Sequence, residues 1–215
     1  MPEIALLDVA DRPQLWVHLG FSVIAGCCWV SDICFRLGAA GRGVTGWTLE
    51  GADANGLDEF PSAHGAVPEA PATSGSDPAS PHPNGVSALD HLVIAAPDLP
   101  RTIAALETLG LALRRTRDAG SKEQPLTQAF FRTGRTILEV VGSEPARPGP
   151  TQFWGLAFTT TDFDATVEFL GDQVRPPKAA VQSGRRIATL DRAVGSTVPI
   201  AFMSESTRQK QPRSR

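Results

Sequence analysis

Downstream of residue 86 the alternation of apolar runs and turn residues occurs twice. The first copy opens with LDHLVIAA at residues 89–96, followed by Pro97-Asp98 and then by helical spacing over 101–109. The second opens with FWGLAFTT at 153–160, followed by Thr161-Asp162 and a helical stretch over 165–170. Set in register, Asp98 falls on Asp162, Leu99 on Phe163, Thr102 on Thr166, Ile103 on Val167 and Leu106 on Leu170. Each aspartate suits the N-cap of the helix it precedes. Ile103 with Leu106, and Val167 with Leu170, give each helix one apolar stripe to lay against a sheet.

Three strand-like segments follow each helix. In the first copy they are 111–116, 127–132 and 136–141, the last two joined by the short turn Thr133-Gly134-Arg135. In the second they are 174–181, weakened by Pro176 and Pro177, then 186–190 and 198–203. A strand, helix, three-strand unit therefore repeats with a period of about 64 residues. A fainter third copy opens the chain, with strands predicted at 4–9, 23–30, 33–37 and 44–49 and a helix one turn shorter. There Asp11-Arg12-Pro13 answers Asp98-Leu99-Pro100. The intervening segment, with GAVPEAPATSGSDPASPHPNG at its centre, is too poor in large apolar residues to offset its ordering entropy. The division expected is a degenerate N-terminal unit over 1–60, a flexible linker rich in Pro, Gly and Ser over 61–86, a paired-unit domain over 87–205 and a disordered tail over 206–215.

Composition narrows the function classes. Of 215 residues 41% are hydrophobic, enough for a substantial core, and 20 basic against 23 acidic residues leave a net charge of -3. No global field favours nucleic acid or an anionic membrane, and the basic cluster Arg208, Lys210, Arg213 and Arg215 reads as a solvated end. Residues 15–30, the most apolar stretch, are interrupted by His18, Gly20 and Gly26 and fall short of the roughly 20 residues of a membrane span. The opening MPEIALLDVADR lacks the basic and apolar regions of a secretory signal. Cys27 and Cys28 would point to opposite faces of a strand, and with Cys34 they form no even-numbered disulfide framework. A reduced, cytoplasmic protein is expected. No phosphate-cradling glycine loop, nucleophile elbow or HExxH pattern occurs.

The segments LDHLVIAAPDL, ETLGL, FFRTGRTILEVVG and FWGLAF, in this order and spacing, resemble the glyoxalase, bleomycin-resistance and extradiol dioxygenase superfamily, the vicinal oxygen chelate proteins. The resemblance covers residues 87–204. It implies an α+β fold of tandem βαβββ modules of the glyoxalase/dihydroxybiphenyl dioxygenase type, here with an extra degenerate N-terminal module. Paired modules of that kind enclose a U-shaped cavity holding a divalent metal, with one ligand on the first strand and one on the last strand of each unit. Carried over residue by residue, His91 and Glu139 occupy these positions in the first unit, Gly155 and Ala201 in the second, and Ile4 and Thr48 at the N-terminus. An imidazole and a carboxylate suit Fe, Mn, Ni or Zn, but two donors hold such an ion poorly, so a metal-free pocket is equally open. Without metal, His91 is expected to donate to Glu139 within the pocket wall. Strand alternation places Val93, Ala95, Ile137 and Val141 on the same face, and Leu92, Ile94, Leu138 and Val140 under the helix.

The resemblance implies a glyoxalase-like lyase, isomerase or dioxygenase acting on a small carbonyl or oxygen-rich metabolite, with Glu139 as base and His91 as metal ligand or acid. Its alternative is a metal-free sequestering protein of the bleomycin-resistance type, which the vacated positions Gly155 and Ala201 would favour. Gln182 and Arg186, at the start of a strand bordering the cavity, with Phe131, Gln128 and Arg132 on the hairpin, are the candidate ligand-binding residues; Arg185 and Arg186 alternate faces, so one of them at most points inward. Phe130, Phe153, Trp154 and Phe158 read chiefly as core, and His18, His64 and His82 as surface residues. A small molecule is thus the expected partner. The uncovered face of the N-terminal unit calls for closure, either by docking onto the C-terminal domain or by homodimerisation.

Overall fold

The computed structural model describes residues 1–52, 66–70, 82–143 and 145–205, so His64, the tail from 206 and most of the expected linker lie outside the described residues. The N-terminal unit runs β1 (Glu3–Val9), α1 (Pro13–His18), β2 (Val23–Ile24), β3 (Cys27–Val30), β4 (Ile33–Leu37) and β5 (Val44–Glu50). Its sheet has the order β2-β3-β4-β1-β5. The segment expected as one strand over 23–30 is instead a hairpin, because Ala25 and Gly26 both take positive φ and turn the chain back. The unit's last strand is therefore β4, parallel to β1, and β5 is an additional strand antiparallel to β1 on its other edge. Thr48, on β5, accordingly does not occupy the last-strand position carried over for it.

The first downstream unit comprises β6 (Val86–Ala96), α2 (Leu99–Thr108), β7 (Leu113–Gly120), β8 (Pro125–Thr133) and β9 (Thr136–Ser143). The second comprises β10 (Gln152–Thr160), α3 (Phe163–Leu170), β11 (Lys178–Ala179), β12 (Arg186–Thr189) and β13 (Ile200–Ser204). Asp98 accepts from the Arg101 amide and Asp162 from the Ala165 amide, each at 3.1 Å, so both helices carry the expected cap. The strand expected over 174–181 shrinks to two residues, since Pro176 and Pro177 donate no ladder hydrogen bond. The two units form one eight-stranded sheet, β11-β12-β13-β10-β6-β9-β8-β7, joined by the antiparallel pair β6 and β10.

That joint has a twofold character. His91 lies opposite Ala157, and Gly155, one repeat further on, lies opposite Val93, one repeat before Ala157. Each strand also carries a bulge at the matching place: Asp90 is the unpaired extra residue on β6, and Trp154 is its counterpart on β10. One face of the sheet packs Leu92, Ile94, Leu138 and Val140, all fully buried, together with Phe131, Phe158 and Phe202.

On this face the N-terminal unit docks within the same chain. Trp16, Phe21 and Phe35 surround Phe158 with ring centroids 6.0, 5.3 and 5.5 Å away, and Trp47 meets Phe153 at 5.3 Å. Asp11 is not the cap of α1, whose N-cap is Arg12. Buried instead, it accepts from Trp16 Nε1 at 3.1 Å, Ser196 Oγ at 2.6 Å, and the amide and hydroxyl of Thr197 at 2.6 and 2.7 Å, tying the two sheets together. His82 is likewise buried rather than on the surface: its Nδ1 accepts from the Ser22 amide at 3.0 Å. Asn84 beside it donates to Leu19 O and accepts from the Val86 amide. Among the described residues no helix is long and apolar enough to cross a membrane.

Candidate functional site

The other face of the eight-stranded sheet curves around a cavity of about 570 Å³ lined from both units. Alternation along β6 and β9 sends His91, Val93, Glu139 and Val141 into it, from strands paired in parallel with Val93 opposite Glu139. The second unit contributes an apolar wall that includes Gly155, Ala157, Ile187, Ala201 and Met203. The first unit's polar groups therefore face a largely apolar wall, with Lys178, Gln182 and Thr189 as its polar members.

His91 is almost wholly buried, and both of its ring nitrogens are engaged. Nε2 lies 3.1 Å from Gln182 Nε2, an amide nitrogen that can only donate, so the imidazole accepts there and carries its proton on Nδ1. Nδ1 lies 2.5 Å from Asp90 Oδ1. This oxygen is buried and receives no in-line hydrogen bond, so the contact is chiefly an electrostatic one. Neighbours on a regular strand face opposite ways; the bulge at Asp90 brings its carboxylate round beside the ring. The other carboxylate oxygen accepts from Thr159 Oγ1 at 2.7 Å and Arg185 Nη2 at 2.5 Å, while Arg185 Nε reaches Ser204 O at 2.7 Å. Burial pushes the Asp90 carboxyl up, but the His91 ring, Arg185 and Thr159 outweigh it and hold the group well below the usual carboxylate range.

Glu139 accepts from Gln128 Nε2 at 2.5 Å. The Gln128 amide cannot turn over, because its Oε1 accepts from Arg117 Nε at 2.9 Å and from Nη2 as well. Arg117 thus reaches Glu139 through one amide and leaves the second carboxylate oxygen free of it. Arg115 stacks over Phe130 at 4.5 Å, and Lys178 stands on the wall from the second unit, so three cations border the cavity. The arrangement can hold an anionic ligand, present a carboxylate base to it, and accept or deliver a proton at an imidazole whose cation would be balanced by Asp90.

A sequence profile described as the Glyoxalase/Bleomycin resistance protein/Dioxygenase superfamily matches residues 90–189, a span that includes most of the cavity lining but not β13. This region is similar to that superfamily. Its fold is similar to that of methylmalonyl-CoA epimerase from Mycobacterium tuberculosis, with 19% identity and a TM-score of 0.45, over 58% of this chain and 92% of that one. A methylmalonyl-CoA epimerase from Streptomyces coelicolor shares 22% identity with a TM-score of 0.41, over 57% and 99% of the respective chains. A 4-hydroxymandelate synthase variant from Streptomyces coelicolor aligns over 99% of this chain and 72% of its own, at 15% identity and a TM-score of 0.47. No curated protein sequence matches the chain significantly.

The metal that the glyoxalase superfamily implies does not fit the donors present. In the parallel pair β10 and β13, Leu156 lies opposite Ile200 and Ala157 opposite Ala201, so Gly155 and Ala201 stand to each other as His91 and Glu139 do. Neither residue offers a donor atom. A Cβ on Gly155 would sit 3.2 Å from Pro199 O, tighter than an ordinary contact. Among the described residues no three His, Cys, Asp or Glu side chains converge, and His91 Nε2, the atom facing the cavity, is engaged by Gln182. Two protein donors fall below the three that a catalytic metal site keeps.

Gln128 and Gln182, candidates from the sequence, both line the cavity. Three other expectations need correction. Arg186 lies on the outer surface, paired with Asp164 at 2.7 Å and stacked on Phe163 at 4.8 Å; of the two adjacent arginines the buried one is Arg185, which clamps Asp90. Phe131 is buried in the core, and Phe130 takes its place on the cavity wall, because the wall residues of β8 are the even-numbered Gln128 and Phe130. Arg132 is exposed and lies outside the lining. The expected hydrogen bond from His91 to Glu139 is also not formed, since each has its own amide partner. Asp90, Arg115, Arg117 and Lys178 were missed. The hairpin of β7 and β8 could have revealed two of them, as Arg115 pairs with Phe130 and Arg117 with Gln128.

Proposed function

We propose that the cavity takes a small, anionic carbonyl or oxygen-rich metabolite and that Glu139 and His91 act on it as base and acid without a divalent metal. The observation that carries this reading is the placement of Glu139 and His91 in one half-enclosed cavity, each oriented by a glutamine amide, with Arg115, Arg117 and Lys178 bordering it. Glu139, linked to Arg117 only through Gln128, would withdraw a proton from carbon next to a carbonyl or carboxylate. His91, beside the Asp90 carboxylate that would balance an imidazolium, would return a proton to the substrate as the acid.

A second reading, binding without turnover, is favoured by the apolar wall of Gly155, Ala157, Ile187, Ala201 and Met203. One experiment separates them. Purified protein is assayed for bound metal, then screened by thermal shift against 2-oxo acids and small carboxylates, and each binder is followed by NMR for solvent exchange of its α-protons. Exchange that Glu139→Gln abolishes and that persists in a chelator supports base catalysis. Binding without exchange selects the sequestering reading. Stoichiometric divalent metal retained by the wild type and lost from His91→Ala would overturn both.

A further inference from the structure

A second and larger cleft, of about 880 Å³, lies between the N-terminal unit and the second downstream unit. Arg42, from the segment between β4 and β5, Arg175, after α3, and Arg192, in a short 3₁₀ turn before β13, all line it. Against these three guanidinium groups the cleft holds one carboxylate, Asp191, which pairs with Arg175 at 3.3 Å and also caps the 3₁₀ turn through the Ala193 amide. Among the described residues Arg42 and Arg192 form no ion pair within 4 Å, although Arg192 still acts electrostatically on the neighbouring Asp191. In a chain whose overall charge is -3, this is a local excess of positive charge held in a concave surface. Gln152 and Thr189 add further polar groups along the same lining.

The cleft is built rather than incidental, because the clamp that joins the two sheets also forms its wall. Asp11 holds Ser196 and Thr197, and Thr197 Oγ1 in turn accepts from the Gly43 amide at 3.0 Å, fixing the backbone next to Arg42. It also adjoins the central cavity: Trp154, Thr189, Pro199 and Ile200 line both. Trp154, raised by the bulge on β10, is 59% exposed and stands where the two meet.

We propose that this cleft is a binding site for a phosphoryl group of a small molecule, held chiefly by Arg42 and Arg192 with Arg175 in support. Guanidinium groups match phosphate oxygens in fixed two-point geometry and keep their charge at every physiological pH. The shared wall at Trp154 places such a group next to the ligand of the central cavity, whether as part of that ligand or as a separate phosphorylated metabolite.

The test uses the full chain and inorganic pyrophosphate as probe, at low ionic strength, with calorimetry and Trp fluorescence as readouts. Saturable binding is expected, weakened about tenfold or more in R42A/R192A. Arg115→Ala/Arg117→Ala, which alters only the central cavity, should keep the saturable pyrophosphate site that R42A/R192A loses. Quenching on binding should disappear in Trp154→Phe. Titration of a central-cavity binder identified by thermal shift then distinguishes the sources: competition with pyrophosphate points to one extended ligand, and independent binding to a separate molecule. Absence of saturable binding, or binding that depends on Arg115 and Arg117 and not on Arg42 and Arg192, overturns the assignment and leaves the reading of Glu139 and His91 standing.

Discussion

His91, Glu139 and the bulge residue Asp90 in one half of the eight-stranded sheet correspond, one repeat further on, to Gly155, Ala201 and Trp154 in the other. The backbone is shared down to the position of the bulge, yet the two halves present opposite chemistry. In the first, the bulge swings a carboxylate beside an imidazole; in the second, the same irregularity lifts an indole to the surface where the central cavity meets the arginine-lined cleft. A repeated fold fixes where side chains point and leaves free what they are, so one half can supply polar groups while the other shapes the space around them.

Exchanging residues across this pseudo-twofold tests the division of labour. The largest effect is expected at the polar half: Glu139→Gln should lower the rate of any proton exchange the protein catalyses by roughly 10²- to 10⁴-fold. Ala201→Ser, at the matching position, should leave that rate within a small factor. Rates by NMR under identical conditions compare the pair.

On the opposite face the ranking is reversed. Phe158 sits among Trp16, Phe21 and Phe35 of the docked N-terminal unit, whereas its counterpart Ile94 is an aliphatic member of the same core. Denaturant unfolding should show Phe158→Ala to cost about 3–5 kcal/mol and Ile94→Val only about 0.5–1.5 kcal/mol.

A constructive test gives the apolar half the missing donors. Gly155→His/Ala201→Glu would place four potential ligands around one point, and Ni or Zn should then raise the melting temperature, by the equivalent of about 2.7 kcal/mol at a metal concentration 100 times Kd. No such shift is expected of the wild type. A null result for the double variant would indicate that the close approach of Pro199 O to residue 155 prevents the ring from turning inward.

The smallest effect concerns the joint between the halves and the N-terminal unit. Burial lowers the pKa of His82 from its ordinary value, so the folded protein resists protonating it. The unfolded chain takes up a proton near pH 6.5, and the contribution of neutral His82, fully present above that pH, is lost as the pH falls below it. His82→Asn should flatten this part of the stability profile measured between pH 7.5 and 5.5.

Much of this was legible along the chain. The doubled pattern, the capping aspartates Asp98 and Asp162, and the inward placement of His91 and Glu139 all follow from local rules of period and capping. Gly155 and Ala201 as the matching vacant positions followed from carrying over the ligand positions that the family resemblance implies. What strict alternation concealed was Asp90: as a neighbour of His91 it belongs on the other face, and only the bulge opposite β10 turns it back. The same limit sent Phe131 and Arg186 to the cavity, although pairing between strands places Phe130 there and leaves Arg186 outside.

The amino-acid sequence by itself determined the repeating unit, the faces of most strands and the inequality of the two halves, because each depends on spacing within a few residues. The tertiary structure decided that the N-terminal unit ends its module at β4 and docks through Asp11, that Asp90 orients His91, and that Arg42, Arg175 and Arg192 share one cleft. These features join residues far apart in the chain, and strand register, bulges and docking bring such residues together without leaving a periodic trace in the order of the amino acids.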